Sequence, residues 1–594
     1  MTAQRFTFLT LFVLVMVISA FFWPVDTIVR SLRDKLAWQV QAGTPSLPDI
    51  MIPMPDGIRL ATDVYLPDAA SPAPTVLLRL PYGKRSYGEV RFWVHELTKS
   101  GFVVVAQDMR GRHNSQGVFT PYPNAGSDGY ATLDWIVSQP WSNGRVGTLG
   151  CSALGEAQLM LAARMHPAHR AMVPIAAGGA IGTAGGRNAY FSAFEGGILN
   201  LSLAAGWFGT HGGKTPETSG YRPLDPKSLN VLPVIDVVRH TRPDLTDYDP
   251  FLRQFSDASY WKNLGYITGH EPFRTPALFI DTWHDPGVSS TLELAKTFRN
   301  AGAPVSTIIA AGTHCGYLGT DQSTMVGDLP INPETTFGFV ETIIRFLKHH
   351  LADGPAATLP YLSFYGLIED RWNTSADWPP ATAIKQRYLL TRSGTLVKNA
   401  DQIKVTKRRF TSDPSNPVPS IGGAVCCTGD PEERSGPVFQ NAIETRHDVL
   451  LFTSAPLAKP LRIAGPINAK LRVSITTPDT DLVLRLIDVD PDGQALLVQE
   501  GALRLRYRNS FDEPSLLKPG EVYEITVSLR DIAYQFNRGH QLRLHVAGTS
   551  FPRLERNLNT GRVNFLETNP RSVEITLHST PEAPSALELY VLSD

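Results

Sequence analysis

The chain has 594 residues, far more than one hydrophobic core organises, so about three or four domains are expected. Its 55 basic and 56 acidic residues are interspersed and sum to a net charge of −1, and no basic run carries interleaved aromatics; the composition offers no footprint for nucleic acid and points to small-molecule partners. The four cysteines (Cys151, Cys315, Cys426 and Cys427) are too few for a disulfide scaffold and make no CxxC zinc pattern, so neither a metal nor a cofactor is implied.

The first element is a leader, residues 1–25. After Arg5, Phe6 to Trp23 is uncharged and almost wholly apolar and ends at Pro24, at the lower limit for a membrane span. Ala20 suits a cleavage site, but Ile18 stands where a small residue is preferred, so an uncleaved membrane anchor is expected over a cleaved signal peptide. Arg30, Arg33 and Lys35 after the span favour a cytoplasmic body, whereas a leader on a soluble body favours export.

Strand-like segments open at Ile50 to Met54 and Arg59 to Leu66. Then Thr75 to Leu80, Phe102 to Gln107, Val146 to Leu149, Ala171 to Ile175, Ala277 to Ile280 and Ser306 to Ala310 alternate with helical patterns such as Gly129 to Ser138, Leu292 to Asn300 and Thr335 to His350. This alternation predicts an α/β domain built on a doubly wound, largely parallel sheet over residues 46–184 and 269–356, with sites beyond the carboxyl ends of the strands. Between 185 and 268 aromatic, helix-compatible segments (Phe191 to Phe208, Leu229 to Arg239, Tyr248 to Trp261) predict an inserted helical cap. Residues 357–594 carry alternating runs such as Ala469 to Ile475, Leu482 to Val489, Glu521 to Leu529 and Gln541 to Ala547, the pattern of an all-β sandwich. Asp413 to Ser420 reads as a stiff surface connector. Asp488 to Gly493 mimics a calcium loop, but Gln499 replaces the required glutamate and strands flank it, so a hairpin turn is expected.

The chemistry concentrates at three strand ends. Gly147-Thr-Leu-Gly-Cys-Ser-Ala-Leu-Gly155 runs from an apolar strand through a glycine-flanked serine into a helix, which displays the Ser152 hydroxyl beside a helix N-terminus. An activated serine needs a histidine base and a carboxylate that orients it, in chain order serine, acid, histidine. Asp285 is preferred to Asp281 because it lies in the turn beyond the strand, and His314 fits the order where His284 precedes its own acid. One oxyanion donor is the backbone N–H of Ala153; the Tyr82 hydroxyl, in the turn after Thr75 to Leu80, can supply the second. Cys151 and Cys315 adjoin two of these residues and are read as buried free thiols, and Cys426 and Cys427 as unpaired neighbours.

The chain resembles the CocE/NonD hydrolases, a family of esterases, X-Pro dipeptidyl-peptidases, α-amino acid ester hydrolases and acylases. The resemblance is carried by Arg79-Leu-Pro-Tyr82, Gln107-Asp-Met-Arg-Gly-Arg112, Ser115-Gln-Gly117, Gly147 to Gly155, Trp283-His-Asp285 and Thr313-His314, and in the tail by Asp413-Pro-Ser-Asn-Pro-Val-Pro, Pro478-Asp-Thr-Asp481, Pro491-Asp-Gly493 and Phe551-Pro-Arg-Leu-Glu-Arg-Asn557. It implies an α/β-hydrolase domain with a helical cap and a carboxyl-terminal jelly-roll similar to galactose-binding folds. Carried over by position, it implies Ser152 as nucleophile, Asp285 as acid, His314 as base, and Tyr82 with the Ala153 amide as oxyanion hole. The family commonly has an aromatic after the serine; Ala153 here implies a wider acyl pocket.

The expected activity is hydrolysis of a small ester, amide or short peptide, with X-Pro dipeptidyl-peptidase as the alternative and an inactive, ligand-binding hydrolase fold as a second. A peptidase must hold a free α-ammonium, for which Glu195 and Asp236 are the available carboxylates.

Overall fold

The computed structural model describes residues 43–593 apart from 69–71, 179–192, 265, 320–322, 356–357 and 431. The leader, with its expected anchor, and the first part of the expected cap lie outside the described residues. Among those described, no helix is long and apolar enough to cross a membrane.

The strands in chain order are β1 (Leu47–Pro53), β2 (Arg59–Tyr65), β3 (Ala73–Leu80), β4 (Val103–Asp108), β5 (Ser142–Cys151), β6 (His169–Ile175), a hairpin of β7 (Phe194–Glu195) and β8 (Ile198–Leu199), β9 (Ala277–His284), β10 (Val305–Thr313), a second hairpin of β11 (Met325–Val326) and β12 (Leu329–Pro330), β13 (Leu362–Gly366) and β14 (Arg371–Ser375). Ten of them form one mixed sheet in the order β1-β2-β4-β3-β5-β6-β9-β10-β13-β14. Its centre from β4 to β13 is parallel, and β1-β2 and β14 close the edges antiparallel. Every residue of β4 and β9 is buried, as parallel strands covered on both faces must be. Helices α1 (Gly88–Lys99), α2 (Ala125–Val137) and α3 (Ala153–Ala162) lie in the first half. Trp93 and Leu97 of α1 share one core with Ile343 and Leu347 of the helix Phe339–Ala352, while Leu133 and Ile136 of α2 meet Leu161 of α3 in another.

Two expectations about the sheet need correction. Residues 362–375, assigned from the sequence to the tail, add β13 and β14 to the ten-stranded sheet, because β10 would otherwise leave its edge unpaired and because Leu362 and Phe364 are buried there. Residues 194–199, expected to be helical, form the β7-β8 hairpin, whose turn places Gly196 and Gly197 at φ 55° and 78°. The helices of the insertion follow, among them α4 (Leu201–His211), α5 (Val237–Thr241), α6 (Tyr248–Arg253) and α7 (Ala258–Asn263).

From Ala383 the chain is a separate all-β domain: eleven strands form one hydrogen-bonded network, and the longest helix described there spans only Asn441–Glu444. The Asp488 to Gly493 stretch is a hairpin turn, with the Asp490 carboxylate accepting from the backbone N–H groups of Asp492 and Gln494. Asp413 to Ser420 runs along the surface of this domain with Ser415, Asn416 and Pro419 exposed, and it is pinned there: Val418 is buried, its N–H donates to Thr549 Oγ1, and Ser420 N–H donates to Phe551 O.

Candidate active site

The tip of β5 turns sharply into α3. Gly150 sits at φ 141°, Ser152 at φ 58°, and a β-carbon on Gly155 would fall 2.5 Å from that of Ala177, so both glycines are sterically required. A serine held in the left-handed region at the N-cap of α3 is a strained position, and the strain aims its side chain away from the sheet. The Cys151 N–H just before it donates to Glu89 Oε1 at 2.9 Å.

At the neighbouring strand tips, the register pairs His284 with Thr313, which sets Asp285 and His314 side by side. Asp285 Oδ2 accepts from His314 Nδ1 at 2.5 Å, and Asp285 Oδ1 accepts from the Gly287 N–H at 2.6 Å. The two rejected candidates are occupied elsewhere. Asp281 is bound by Thr291 Oγ1 and the Thr282 N–H, and burial beside the Asp285 charge pushes its carboxyl well above the usual range. His284 lies 3.2 Å from Val498 O, and burial draws its imidazole down to about 4. For His314, burial opposes the charged form, but the Asp285 carboxylate and the Cys427 sulfur outweigh it and hold the imidazole well above the ordinary histidine range.

Ser152, Ala153, Asp285 and His314 line one cavity together with Tyr122, Leu203, Trp207, Cys426 and Cys427. Tyr82 borders it: its hydroxyl bonds the Ser152 side chain and accepts from Trp207 Nε1 at 3.0 Å. Burial keeps that hydroxyl protonated far past neutral pH. Among the described residues no hydrogen bond joins His314 to Ser152, and the side chain that interacts with His314 besides Asp285 is Cys427, so the serine and the base share a cavity without a closed hydrogen bond. Such contacts tighten when substrate binds.

The cysteine reading is corrected: Cys151 and Cys315 are joined in a disulfide. The sharp turns at Ser152 and Cys315, both at φ 58°, bring the two Cα atoms to 5.9 Å, within disulfide reach. The bridge ties the residue before Ser152 to the residue after His314 across 164 residues of chain. Replacing both cysteines by alanine should lower stability by about 2–5 kcal/mol, read as a fall in Tm; an unchanged Tm would show that the cross-link constrains nothing. Cys426 and Cys427 are free, as expected, with sulfurs 2.8 Å apart. The Cys426 thiol and the His314 imidazole draw the Cys427 thiol down to about 5 against the effect of burial.

Glu89 is a second buried group, one that no sequence motif singles out. Burial raises its carboxyl to about 7, against the pull of the Cys151 N–H and the His314 charge. A folded pKa above the unfolded one adds stability below about 4.5, and that stability is lost as the pH rises through about 7. Glu89→Gln keeps an acceptor for Cys151 and removes the charge, so it should melt higher than wild type above about pH 7, by up to about 3 kcal/mol, with the gap closing below about pH 4.5. A gap that does not vary with pH would refute this assignment.

The β-domain holds the acid loop from outside. Gln499 Nε2 donates to Trp283 O at 3.0 Å, Arg530 Nε to Pro286 O at 3.4 Å, and Ser289 Oγ to Asp531 Oδ2. Neither carboxylate proposed for an α-ammonium faces the cavity: Glu195 is held by Arg530 and Arg553, and Asp236 pairs with Arg239 at the surface. Asp430 and Glu433 of the β-domain instead line a vestibule shared with His314, Cys426 and Cys427.

A family model for the X-Pro dipeptidyl-peptidase (S15 family) matches residues 56–316, and one for the X-Pro dipeptidyl-peptidase C-terminal non-catalytic domain matches 354–588. Cocaine esterase from Rhodococcus sp. (strain MB1 Bresler) is 30% identical over 582 residues, covering 92% of this chain and 98% of the relative. Of solved structures, an aminopeptidase from the marine sediment archaeon Thaumarchaeota archaeon superposes with a TM-score of 0.80 at 24% identity, over 93% of this chain and 97% of its own. An α-amino acid ester hydrolase does so with 0.79 at 24%, over 92% and 98%.

Proposed function

The chain belongs to the CocE/NonD family of serine hydrolases, which act on ester or amide bonds, and from that premise we propose that it cleaves small acyl esters through an acyl-enzyme on Ser152. One observation carries this reading: the Asp285–His314 pair, 2.5 Å apart, faces the cavity that Ser152 lines. Once the ring is neutral, His314 Nε2 takes the Ser152 proton as the hydroxyl attacks the carbonyl, and Asp285 fixes the tautomer and stabilises the imidazolium, the form its charge already favours. The Ala153 N–H at the start of α3 and the protonated Tyr82 hydroxyl, itself positioned by Trp207, donate to the oxyanion. His314 then returns its proton to the leaving group, and water repeats the sequence to release the acid. Tyr82→Phe is expected to lower kcat by about 10²- to 10³-fold with a smaller change in KM; unchanged turnover would reject the Tyr82 role.

The finer reading of the architecture goes with it. The hydrolase domain spans residues 46–184 and 269–356 and takes in β13 and β14 of the tail; residues 185–268 form a cap over the site; and the rest of the tail, from Ala383, is a jelly-roll of the galactose-binding kind. Residues 1–25 anchor or export the protein.

The alternative, an X-Pro dipeptidyl-peptidase, is favoured by the Asp430 and Glu433 carboxylates in the vestibule, where a free α-ammonium could be held. Parallel assays with short-chain nitrophenyl esters and Xaa-Pro-nitroanilides separate the two. The esterase reading expects kcat/KM on esters to exceed that on the anilides, and the reverse order would replace it. If neither substrate turns over and a fluorophosphonate fails to label Ser152, the chain is an inactive binding protein.

A further inference from the structure

We propose that Cys426, Cys427 and His314 form a site for a thiophilic cation of the zinc class, placed so that an occupied site takes the base away from Ser152. The two Sγ atoms and a ring nitrogen of His314 all lie within 4.8 Å of one another. Both cysteines are free thiols, whereas the other sulfur pair near His314, Cys151 and Cys315, is consumed in a disulfide and can bind nothing. Asp285 occupies Nδ1, so the ligating atom is Nε2, the ring nitrogen left to the Cys427 sulfur that already interacts with it.

The donor set fits the ion. Two thiolates and one imidazole with an open fourth position make a three-ligand zinc geometry, and a carboxylate on the far ring nitrogen is the usual device for orienting a ligating histidine. A Zn–S bond of about 2.3 Å asks for sulfurs about 3.8 Å apart at a tetrahedral angle, so the pair, now at 2.8 Å, must open by about 1 Å. Rotation about the Cys side chains supplies that. Access is provided as well: the two cysteines and His314 line both the catalytic cavity and the wider vestibule outside it. Coordination would put the metal on the nitrogen that otherwise accepts the serine proton, so the site is an off switch answering to soft cations. Its effect on activity rests on the proposed triad; binding itself does not.

The test uses the full chain with its disulfide intact, titrated with Cd²⁺ as a spectroscopic probe and with Zn²⁺ as competitor. Wild type should develop a thiolate-to-cadmium charge-transfer absorption that saturates at one equivalent. Zn²⁺ should displace the Cd²⁺ and shield Cys426 and Cys427 from alkylation by iodoacetamide. Cys426→Ser and Cys427→Ser should each weaken binding by more than the roughly 10- to 100-fold typical of losing an outer contact. Zn²⁺ should also slow fluorophosphonate labelling of Ser152 with the same midpoint, reversibly on chelation. No charge-transfer absorption and no alkylation shielding in wild type, or an affinity unmoved by either serine variant, would overturn the site. Tight binding with an unchanged labelling rate would overturn the part assigned to His314. If metal-free protein is not labelled at all, the triad fails, while the cadmium absorption still reports on the site.

Discussion

Ser152→Ala is expected to lower kcat by about 10⁶-fold while the protein stays folded, the scale seen when a serine nucleophile is removed from an intact triad. The physical reason lies in the turn that holds it. The backbone at 152 adopts φ 58° because Gly150 and Gly155 allow the strand and helix to approach, and alanine at the same position keeps that turn. What is lost is the single oxygen that bonds the acyl group, and neither Tyr82 nor the Ala153 amide can replace it. Activity within about 100-fold of wild type would show that another group attacks, and the proposed mechanism would fall with it.

Asp285→Asn should lower kcat by about 10⁴-fold with little change in fold. The direction follows from two hydrogen bonds. Oδ1 accepts from the Gly287 N–H, so an asparagine keeps its carbonyl oxygen there and turns its amide NH₂ toward His314 Nδ1. An amide that donates to Nδ1 forces the ring proton onto Nε2, the nitrogen that must accept from Ser152. The base is therefore present but in the wrong tautomer, and because a neutral imidazole keeps its remaining proton throughout the accessible pH range, the loss should persist as the pH rises. A variant within 10-fold of wild type at every pH would show that Asp285 does not orient the base, and the carboxylate would have to be sought elsewhere.

The hydrolase sheet was legible because its parallel strands are buried on both faces, and apolar runs such as Ala277 to Ile280 and Ser306 to Ala310 are short enough for buried strands. Strand ends were less legible. β5 runs to Cys151 and β9 to His284, two to four residues past the apolar runs, because strand tips at a site carry polar and glycine residues that the hydrophobic pattern does not count. Asp285 and His314 were readable from chain order, and their contact follows from the register of β9 on β10.

What the sequence could not supply are partners from distant segments. Nothing local marks Trp207 as the donor to Tyr82, or Cys427, in the β-domain, as a neighbour of His314. Cys151 and Cys315 are 164 residues apart and carry no spacing that distinguishes a bridge from two buried thiols. Glu195 fits an ammonium site on sequence alone and is instead neutralised by Arg530 and Arg553, which arrive from the other domain. Each of these is a tertiary contact between elements whose own patterns are complete without it.

Whether one histidine activates one serine across this cavity is read by fluorophosphonate labelling with peptide mapping by mass spectrometry. A single adduct on Ser152 is expected, formed in native protein and lost both on denaturation and in His314→Gln. An adduct on another side chain, or labelling of Ser152 at an undiminished rate in His314→Gln, would contradict it.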